Sequence, residues 1–188
     1  MHKLLEENIS FGNNITVIKR GESCTVYKMK DITGEGTMTC YNVFHGIDLI
    51  YNDFHLKNCF SEFIPKVKMM AIDHCKTGRI EWEFQNGSYI YLQEGDMQIN
   101  GRKHHNVGFG FPLNHYEGIT VAIYIEEALK HYRLFFRDFL LICKNYIINS
   151  VIKNPLLLCV QKIQLNIFFL NFIMYLMRYA QIILKSKF

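Results

Sequence analysis

Histidine and cysteine are the residues of this chain that could hold a metal ion. On a β-strand two such ligands must lie at alternate positions, because only residues i and i+2 point to the same face. The sequence instead places His74 next to Cys75 and His104 next to His105. Side chains of adjacent strand residues point to opposite faces and cannot share one ion. We therefore predict no metal site and no cofactor, and we interpret these histidines as loop or core residues.

Glu81 and Glu83 are the acidic residues that could work as a general acid and a general base. They lie two residues apart, so they would share one face of a strand. The same spacing is typical of a solvated outer strand face, and nothing in the sequence indicates a displaced pKa for either carboxyl. The chain contains no serine-nucleophile motif, phosphate-binding loop or dinucleotide glycine motif. We expect a protein that is not an enzyme.

The stretch 79–100 predicts a β-hairpin with an aromatic face. Apolar and polar residues alternate on both sides of an Asn-Gly pair at 86–87, which is typical of a two-residue hairpin turn. That turn would set Phe84 opposite Tyr89 and Trp82 opposite Tyr91. The shared face would be either ordinary core or the wall of a pocket for an apolar or ring-bearing ligand. The candidate ligand-binding residues are Trp82, Phe84, Tyr89, Tyr91 and, farther along the chain, His115.

Alternation with period two, interrupted by turn signals, predicts about eight strands before Glu126. Besides the hairpin, the strand-like runs are 24–30, 37–43, 46–54, 67–75 and 119–125. Residues 76–78 are predicted to turn the chain, and residues 100–110 to form a loop. Short antiparallel strands joined by short turns are typical of a small barrel or jelly roll.

The pattern changes at Glu126, where apolar residues begin to recur at intervals of three and four. This spacing predicts an amphipathic helix of about fifteen residues. A helix of this kind after a sheet domain could pair with a second copy of the chain. Its candidate dimerisation residues are Tyr132, Phe136, Phe139, Leu140 and Cys143.

The tail at 156–188 is apolar on every side, and three interpretations compete. A membrane-spanning helix over 163–184 has the required length, but Arg178 would lie inside the apolar span at a high cost. A buried or self-associating pair of helices would also hide such a surface. We favour a non-native end, such as a shifted reading frame, because glycine and glutamate are both missing from the tail. We do not expect the chain to enter a membrane.

Composition indicates a folded chain with unevenly spread charge. Of its 188 residues 49% are hydrophobic and 14% aromatic, which argues against disorder. The net charge of +4 is concentrated in residues 134–188, which hold seven Lys and Arg but one acid. The basic cluster at 102–105 is too short for a nucleic-acid interface. Six cysteines without C-x-x-C spacing, and an N-terminus without a signal sequence, indicate reduced thiols in a cytoplasmic protein.

Four stretches carry a further signal, namely 45–55, 72–82, 89–99 and 111–118. They contain the signatures His-Cys-x-x-Gly-Arg-Ile-Glu, Tyr-Leu-x-x-Gly-Asp and Phe-Pro-Leu-x-His-Tyr in this order. Residues 20–130 thereby resemble the N-terminal half of AraC-type bacterial transcriptional regulators. The resemblance implies a cupin-like β-barrel that senses an effector or dimerises. In the family, helices and a DNA-binding domain with two helix-turn-helix units follow.

We therefore expect a mainly β fold with C-terminal α structure. An N-terminal arm would cover 1–20, a cupin-like antiparallel barrel or jelly roll 21–126, and helices 127–188. The expected function is that of the regulatory part of an AraC-type regulator. Its expected partners are a small-molecule effector and a second copy of the chain, with DNA bound only through a C-terminal domain absent from this chain. A small metal-dependent cupin enzyme and a membrane-anchored sensor are the alternatives.

Overall fold

The computed structural model describes residues 9–10, 13–21, 24–59, 64–84, 87–101, 106–131 and 158–159. These residues form thirteen β-strands and one α-helix. The strands are β1 (Ile9–Ser10), β2 (Ile15–Arg20), β3 (Cys24–Asp31), β4 (Gly34–Phe44), β5 (Ile47–His55), β6 (Asn58–Cys59), β7 (Ile64–Pro65), β8 (Met69–Phe84), β9 (Tyr89–Gln93), β10 (Met97–Asn100), β11 (Asn106–Gly110), β12 (Tyr116–Tyr124) and β13 (Leu158–Cys159). The helix is α1 (Ile125–His131).

The strands pair as one long hairpin that is rolled up on itself. β8 is long enough to act as two strands, 69–78 and 79–84. β5 pairs with β12, β6 with β11, the first part of β8 with β10, and its second part with β9, always antiparallel. With the two parts of β8 counted separately and β7 left out, the segment from β5 to β12 contains eight strands. The first of these pairs with the eighth, the second with the seventh, the third with the sixth and the fourth with the fifth. Such pairing is typical of a jelly roll, so the predicted mainly antiparallel β architecture is confirmed.

Two further pairings roll the long hairpin into two sheets. β12 also pairs with the first part of β8, and β11 with the second part. The first sheet therefore has the order β5–β12–β8–β10, and the second the order β6–β11–β8–β9. β4, β3 and β2 extend the first sheet beyond β5. Residues 15–20 of the predicted N-terminal arm thus belong to the sheet.

Two local predictions are wrong. Residues 76–78 do not turn the chain; β8 runs through them and bends at Gly78, which has a φ of +84°. A Cβ at this position would lie 2.3 Å from the carbonyl oxygen of His115, so glycine is needed where the strand passes from one sheet to the other. Part of the predicted loop 100–110 forms β11, because β8 offers it a pairing edge and Trp82 contacts Phe109.

One face of the first sheet points at the second sheet and forms the interior. A single buried cluster joins side chains from both sheets, which shows that these faces meet. Its members include Phe54, Cys75 and Tyr116 from the first sheet and Ile80, Trp82 and Leu92 from the second. We call this side of the first sheet the inner face.

The opposite, outer face of the first sheet is apolar and is also buried. Its cluster includes Leu49, Ile72 and Val121 together with Ala128 of α1. α1 approaches the turn between β4 and β5 closely, since a Cβ at Gly46 would lie 2.5 Å from the backbone nitrogen of Ala128. The helix that the sequence predicts from Glu126 thus begins at Ile125 and packs on the outer face.

The rest of the predicted helical region lies mostly outside the described residues. α1 is described as far as His131, and of the apolar tail only 158–159 is described, where β13 pairs with β10. Within the described part of the chain, no helix is long and apolar enough to cross a membrane. The three interpretations of the tail stay predictions.

Candidate functional site

The predicted aromatic face of the hairpin does not exist, because its register is shifted by one residue. Trp82 lies opposite Ile90, and Glu83 lies opposite Tyr89. Five residues separate this last pair, whereas the predicted two-residue turn would leave an even number between opposed residues. With an odd number, the residues of β9 that were expected on the same face as Trp82 lie on the opposite face. The predicted register is therefore wrong.

The structure places the predicted ligand-binding residues on different sides of the second sheet. Trp82 is 4% exposed in the interior, while Tyr89 and Tyr91 are 60% and 50% exposed on the outside. The guanidinium of Arg79 lies 4.2 Å from the ring centroid of Tyr91, so this tyrosine contributes to a surface contact. A pocket wall made of all three rings is not present.

The remaining predicted site residues are placed as follows. His115 precedes β12, is half-buried, and its Nδ1 lies 3.0 Å from the carbonyl oxygen of Leu113. The side chain of Phe84 lies outside the described part of the structure, as do all five candidate dimerisation residues: Tyr132, Phe136, Phe139, Leu140 and Cys143. Ligand binding by the first set and dimerisation by the second set stay predictions.

Polar side chains converge on the inner face of the first sheet. Thr120 lies opposite Asp73, and Asp73 lies opposite Gln98, so these three form one row across β12, β8 and β10. Asn52 on β5 lies opposite Gly118, which is two residues from Thr120. Asn100 on β10 is two residues from Gln98, so both asparagines lie on the same face as this row. We call these five residues the inner polar cluster. Cys75, two residues from Asp73, belongs to the cluster that joins both sheets, so the polar side chains point inward.

Asp73 is the centre of this cluster and is 2% exposed. Its Oδ1 accepts a hydrogen bond from the Thr120 hydroxyl at 2.7 Å. Its Oδ2 accepts bonds from the amides of Gln98 at 3.1 Å and Asn100 at 2.8 Å. Asn52 donates to the Thr120 hydroxyl oxygen at 3.0 Å, which orients that hydroxyl toward Asp73. The carboxyl is therefore held by donors from two neighbouring strands.

A second buried carboxyl, Asp48, lies on the same face. Its Oδ1 accepts a hydrogen bond from the amide of Asn42 at 2.8 Å. Burial, and then the nearby charge of Asp48, raise the pKa of Tyr124 far above its usual range. The same two causes raise the pKa of Cys40. Tyrosine and thiol therefore stay protonated at neutral pH.

Two of the buried cysteines are not placed to act as nucleophiles. Cys24, Cys40, Cys59 and Cys75 are all buried. Burial raises the pKa of Cys59 to about 11 and that of Cys75 to about 12. Because the thiolate is the reactive form, both groups are unreactive at neutral pH.

Metal ligands do not cluster in the part of the chain that the structure describes. Within it, no group of three or more His, Cys, Asp or Glu side chains is close enough to hold an ion. His74, on the outer face, is half-buried, and burial lowers its pKa, which favours a neutral imidazole.

The inner polar cluster was missed in the sequence because its members come from four strands that are far apart in the chain. One signal was present. Asp73 directly follows the apolar run Met69–Ile72, so a carboxyl continues an otherwise apolar strand segment. Finding its partners requires the pairing of β8 with β10 and β12, which no local pattern specifies.

Comparisons with known proteins give no family for the chain. No family model matches it, and no curated protein matches it. Solved structures that resemble it include an HTH_3 family transcriptional regulator from Vibrio cholerae, with 13% identity over 46% of this chain and 51% of the regulator, at a TM-score of 0.35. The Fe(II) form of HppE shows 12% identity over 61% of this chain and 64% of its own, at a TM-score of 0.43.

An ectoine synthase from P. lautus shows 12% identity over 50% of this chain and 67% of its own, at a TM-score of 0.33. All three TM-scores lie below 0.5, so the fold assignment rests on the strand pairing of this chain itself. Enzymes and a regulator both occur among these structures. The prediction that the chain is not an enzyme, which was drawn from missing sequence motifs, is therefore wrong.

Proposed function

We propose that the chain is the effector-sensing and self-associating part of an AraC-type transcriptional regulator. The four stretches that resemble this family lie in order along the rolled hairpin and leave out β6 and β11. Stretch 45–55 includes β5, 72–82 lies within β8, 89–99 covers β9 and most of β10, and 111–118 leads into β12. The resemblance thus follows the strands that build the jelly roll and is not confined to one turn.

The inner polar cluster is the observation that supports a sensing role most directly. Asp73 lies in the second family-like stretch and Gln98 in the third, while Thr120 follows the fourth by two residues. A sheet interior is ordinarily apolar, and polar groups inside it cost stability unless they are hydrogen-bonded. Polar groups that converge inside a rolled sheet are typical of a small-molecule site.

A reporter assay tests this function. The full chain is fused to a heterologous DNA-binding domain that represses its promoter only as a dimer. If the chain self-associates, the fusion represses the reporter, and an effector changes the degree of repression. The double variant Phe136→Asp and Phe139→Asp should relieve repression, because two charges would disrupt the apolar face of the predicted dimerisation helix.

The matched control is Leu113→Asp, since Leu113 is an exposed apolar residue of the turn before β12. This variant should repress as strongly as the unchanged fusion. Absence of repression by the unchanged fusion, at an expression level equal to that of a known dimeric fusion, contradicts self-association. Equal repression by the double variant contradicts the assignment of the helix.

A further inference from the structure

The buried polar side chains of the first sheet lie on its inner face, among apolar side chains such as Phe54, Met69 and Tyr116. The outer face carries buried apolar residues such as Leu49, Ile72 and Val121. The inner face, on the same strands, carries Asp73, Gln98 and Thr120, each at most 6% exposed. An interior needed only for stability would be filled more favourably by apolar side chains. The inner polar cluster therefore calls for a role beyond packing.

The amide of Gln98 is held in one orientation. Its Nε2 donates to Oδ2 of Asp73 at 3.1 Å, and a carboxylate accepts hydrogen bonds only from the nitrogen end of an amide. The carbonyl end, Oε1, must then point away from that carboxyl oxygen. Asp73 in turn is fixed by Thr120 and Asn100. The position of Oε1 is thus set by a chain of hydrogen bonds that ends at Asn52.

Oε1 of Gln98 is a buried acceptor without a donor among the described residues. The side chain is 1% exposed, and Oε1 accepts no hydrogen bond from any residue that the structure describes. A buried acceptor without a donor destabilises a protein, and most buried polar groups are paired. The group that completes this site must therefore carry an N–H or O–H.

We propose that the inner polar cluster binds a small molecule bearing N–H or O–H groups, with Oε1 of Gln98 as the acceptor and Asp73 as the residue that positions it. This inference rests on the proposed function and specifies the chemistry of its effector. Molecules whose heteroatoms only accept hydrogen bonds are excluded by the same geometry, because they would set acceptor against acceptor. A neutral polyol and an aliphatic amine share the required donor chemistry.

Three matched probes test the donor requirement with the full chain. Propane-1,3-diol offers neutral O–H donors, propane-1,3-diamine offers cationic N–H donors, and 1,3-dimethoxypropane keeps the oxygens of the diol but no donor. Saturation-transfer NMR, which detects weak binding, should show saturable binding of the diol, the diamine or both, and none of the dimethyl ether. If neither donor probe binds, or if the ether binds as well as the diol, the proposal is overturned. Binding of the diamine alone identifies the effector as an amine, and binding of the diol alone as a polyol.

The variant Gln98→Leu tests the acceptor itself. It should weaken binding of the donor probe about tenfold, the loss expected for one hydrogen bond to a buried group. Gln93→Leu is the matched control, because Gln93 is exposed on β9 and the same chemical change there should leave binding unchanged. Equal affinity of both variants overturns the role of Gln98.

A measurement on the unchanged protein keeps the test valid if the variant does not fold. The side-chain amide protons of Gln98 should shift in a ¹⁵N-labelled sample when the donor probe is added, whereas those of Gln93 should not. No shift at Gln98 with a probe that binds places the probe elsewhere and overturns the proposal. Probe binding without a reporter response would refute the proposed function alone, and a dimeric reporter without probe binding would refute this inference alone.

Discussion

A buried carboxyl group must find hydrogen-bond donors inside the protein to replace the water it has lost. Among the described residues, Thr120, Gln98 and Asn100 donate to Asp73. These donors are themselves buried or half-buried and depend on the carboxyl in the same way. Removing Asp73 therefore takes the acceptor from three buried or half-buried donors, whereas donors to a surface carboxyl can turn to water.

The first prediction is that Asp73→Ala lowers the free energy of unfolding by about 3 kcal/mol, because it leaves buried donors without an acceptor. Asp53→Ala is the control. Oδ1 of Asp53 lies 2.9 Å from Nε2 of His55 at the surface, and loss of this contact should cost at most about 0.5 kcal/mol. Urea unfolding measures both. Equal costs would show that the inner polar cluster does not contribute to stability.

Glu117 gives a prediction for pH dependence. Burial alone would raise the pKa of this carboxyl, but hydrogen bonds from Lys76, Tyr51 and Thr77 outweigh it and hold the pKa below its usual range. A carboxyl with a depressed pKa in the folded state stabilises the protein above its ordinary pKa. That contribution is lost as the pH falls through the depressed value.

We therefore expect Glu117→Gln to destabilise the protein clearly at about pH 7 and hardly at all at about pH 3. Urea unfolding at a series of pH values measures the gap between the two proteins. A gap that stays constant from neutral to acid pH would contradict the stabilised carboxylate.

At the level of elements, the hairpin of β8 and β9 shows what local sequence predicts well and what it does not. Alternation correctly identifies both strands, because period two is a property of each strand alone. The register depends on how many residues the turn takes up, and five residues separate Glu83 from Tyr89. One residue more or less in the turn exchanges inside for outside. Alternation alone therefore could not place Trp82 and Tyr91.

The register makes a quantitative prediction for two aromatic residues of this hairpin. Trp82→Ala should lower the free energy of unfolding by about 3–5 kcal/mol, since it removes a large ring from the interior. Tyr91→Ala should cost about 1 kcal/mol or less, because its half-exposed ring contributes mainly a contact with Arg79. Chemical denaturation measures both. Similar losses would support one shared aromatic face and contradict the observed register.

The inner polar cluster was beyond the reach of local sequence for a related reason. Its residues satisfy one another only after β5, β12, β8 and β10 lie side by side. Asn52 and Thr120, which share a hydrogen bond, are 68 residues apart in the chain. Individual strands can be predicted from local sequence, but a site made by long-range strand pairing can be recognised only once the topology is known.

On the scale of the whole molecule, the nested pairing brings together segments that are distant in sequence. The strands β5 and β12 pair with each other, although all of β6 to β11 lies between them in the sequence. The chain must therefore close a long loop before this pair can form, and the entropy of loop closure opposes it until most contacts are made. The fold thus depends on contacts that can form only late.

This topology predicts slow folding, in the range of milliseconds to seconds, as found for sheet proteins with mainly non-local contacts. Trp82 is the single tryptophan of the chain and lies in the interior, so its fluorescence reports directly on closure of the two sheets. Stopped-flow dilution from urea should show its emission moving to shorter wavelength in this time range. The variant Tyr91→Phe, which changes only an exposed ring, should fold at the same rate. Folding within microseconds would mean that the long-range pairing of β5 with β12 does not limit the reaction.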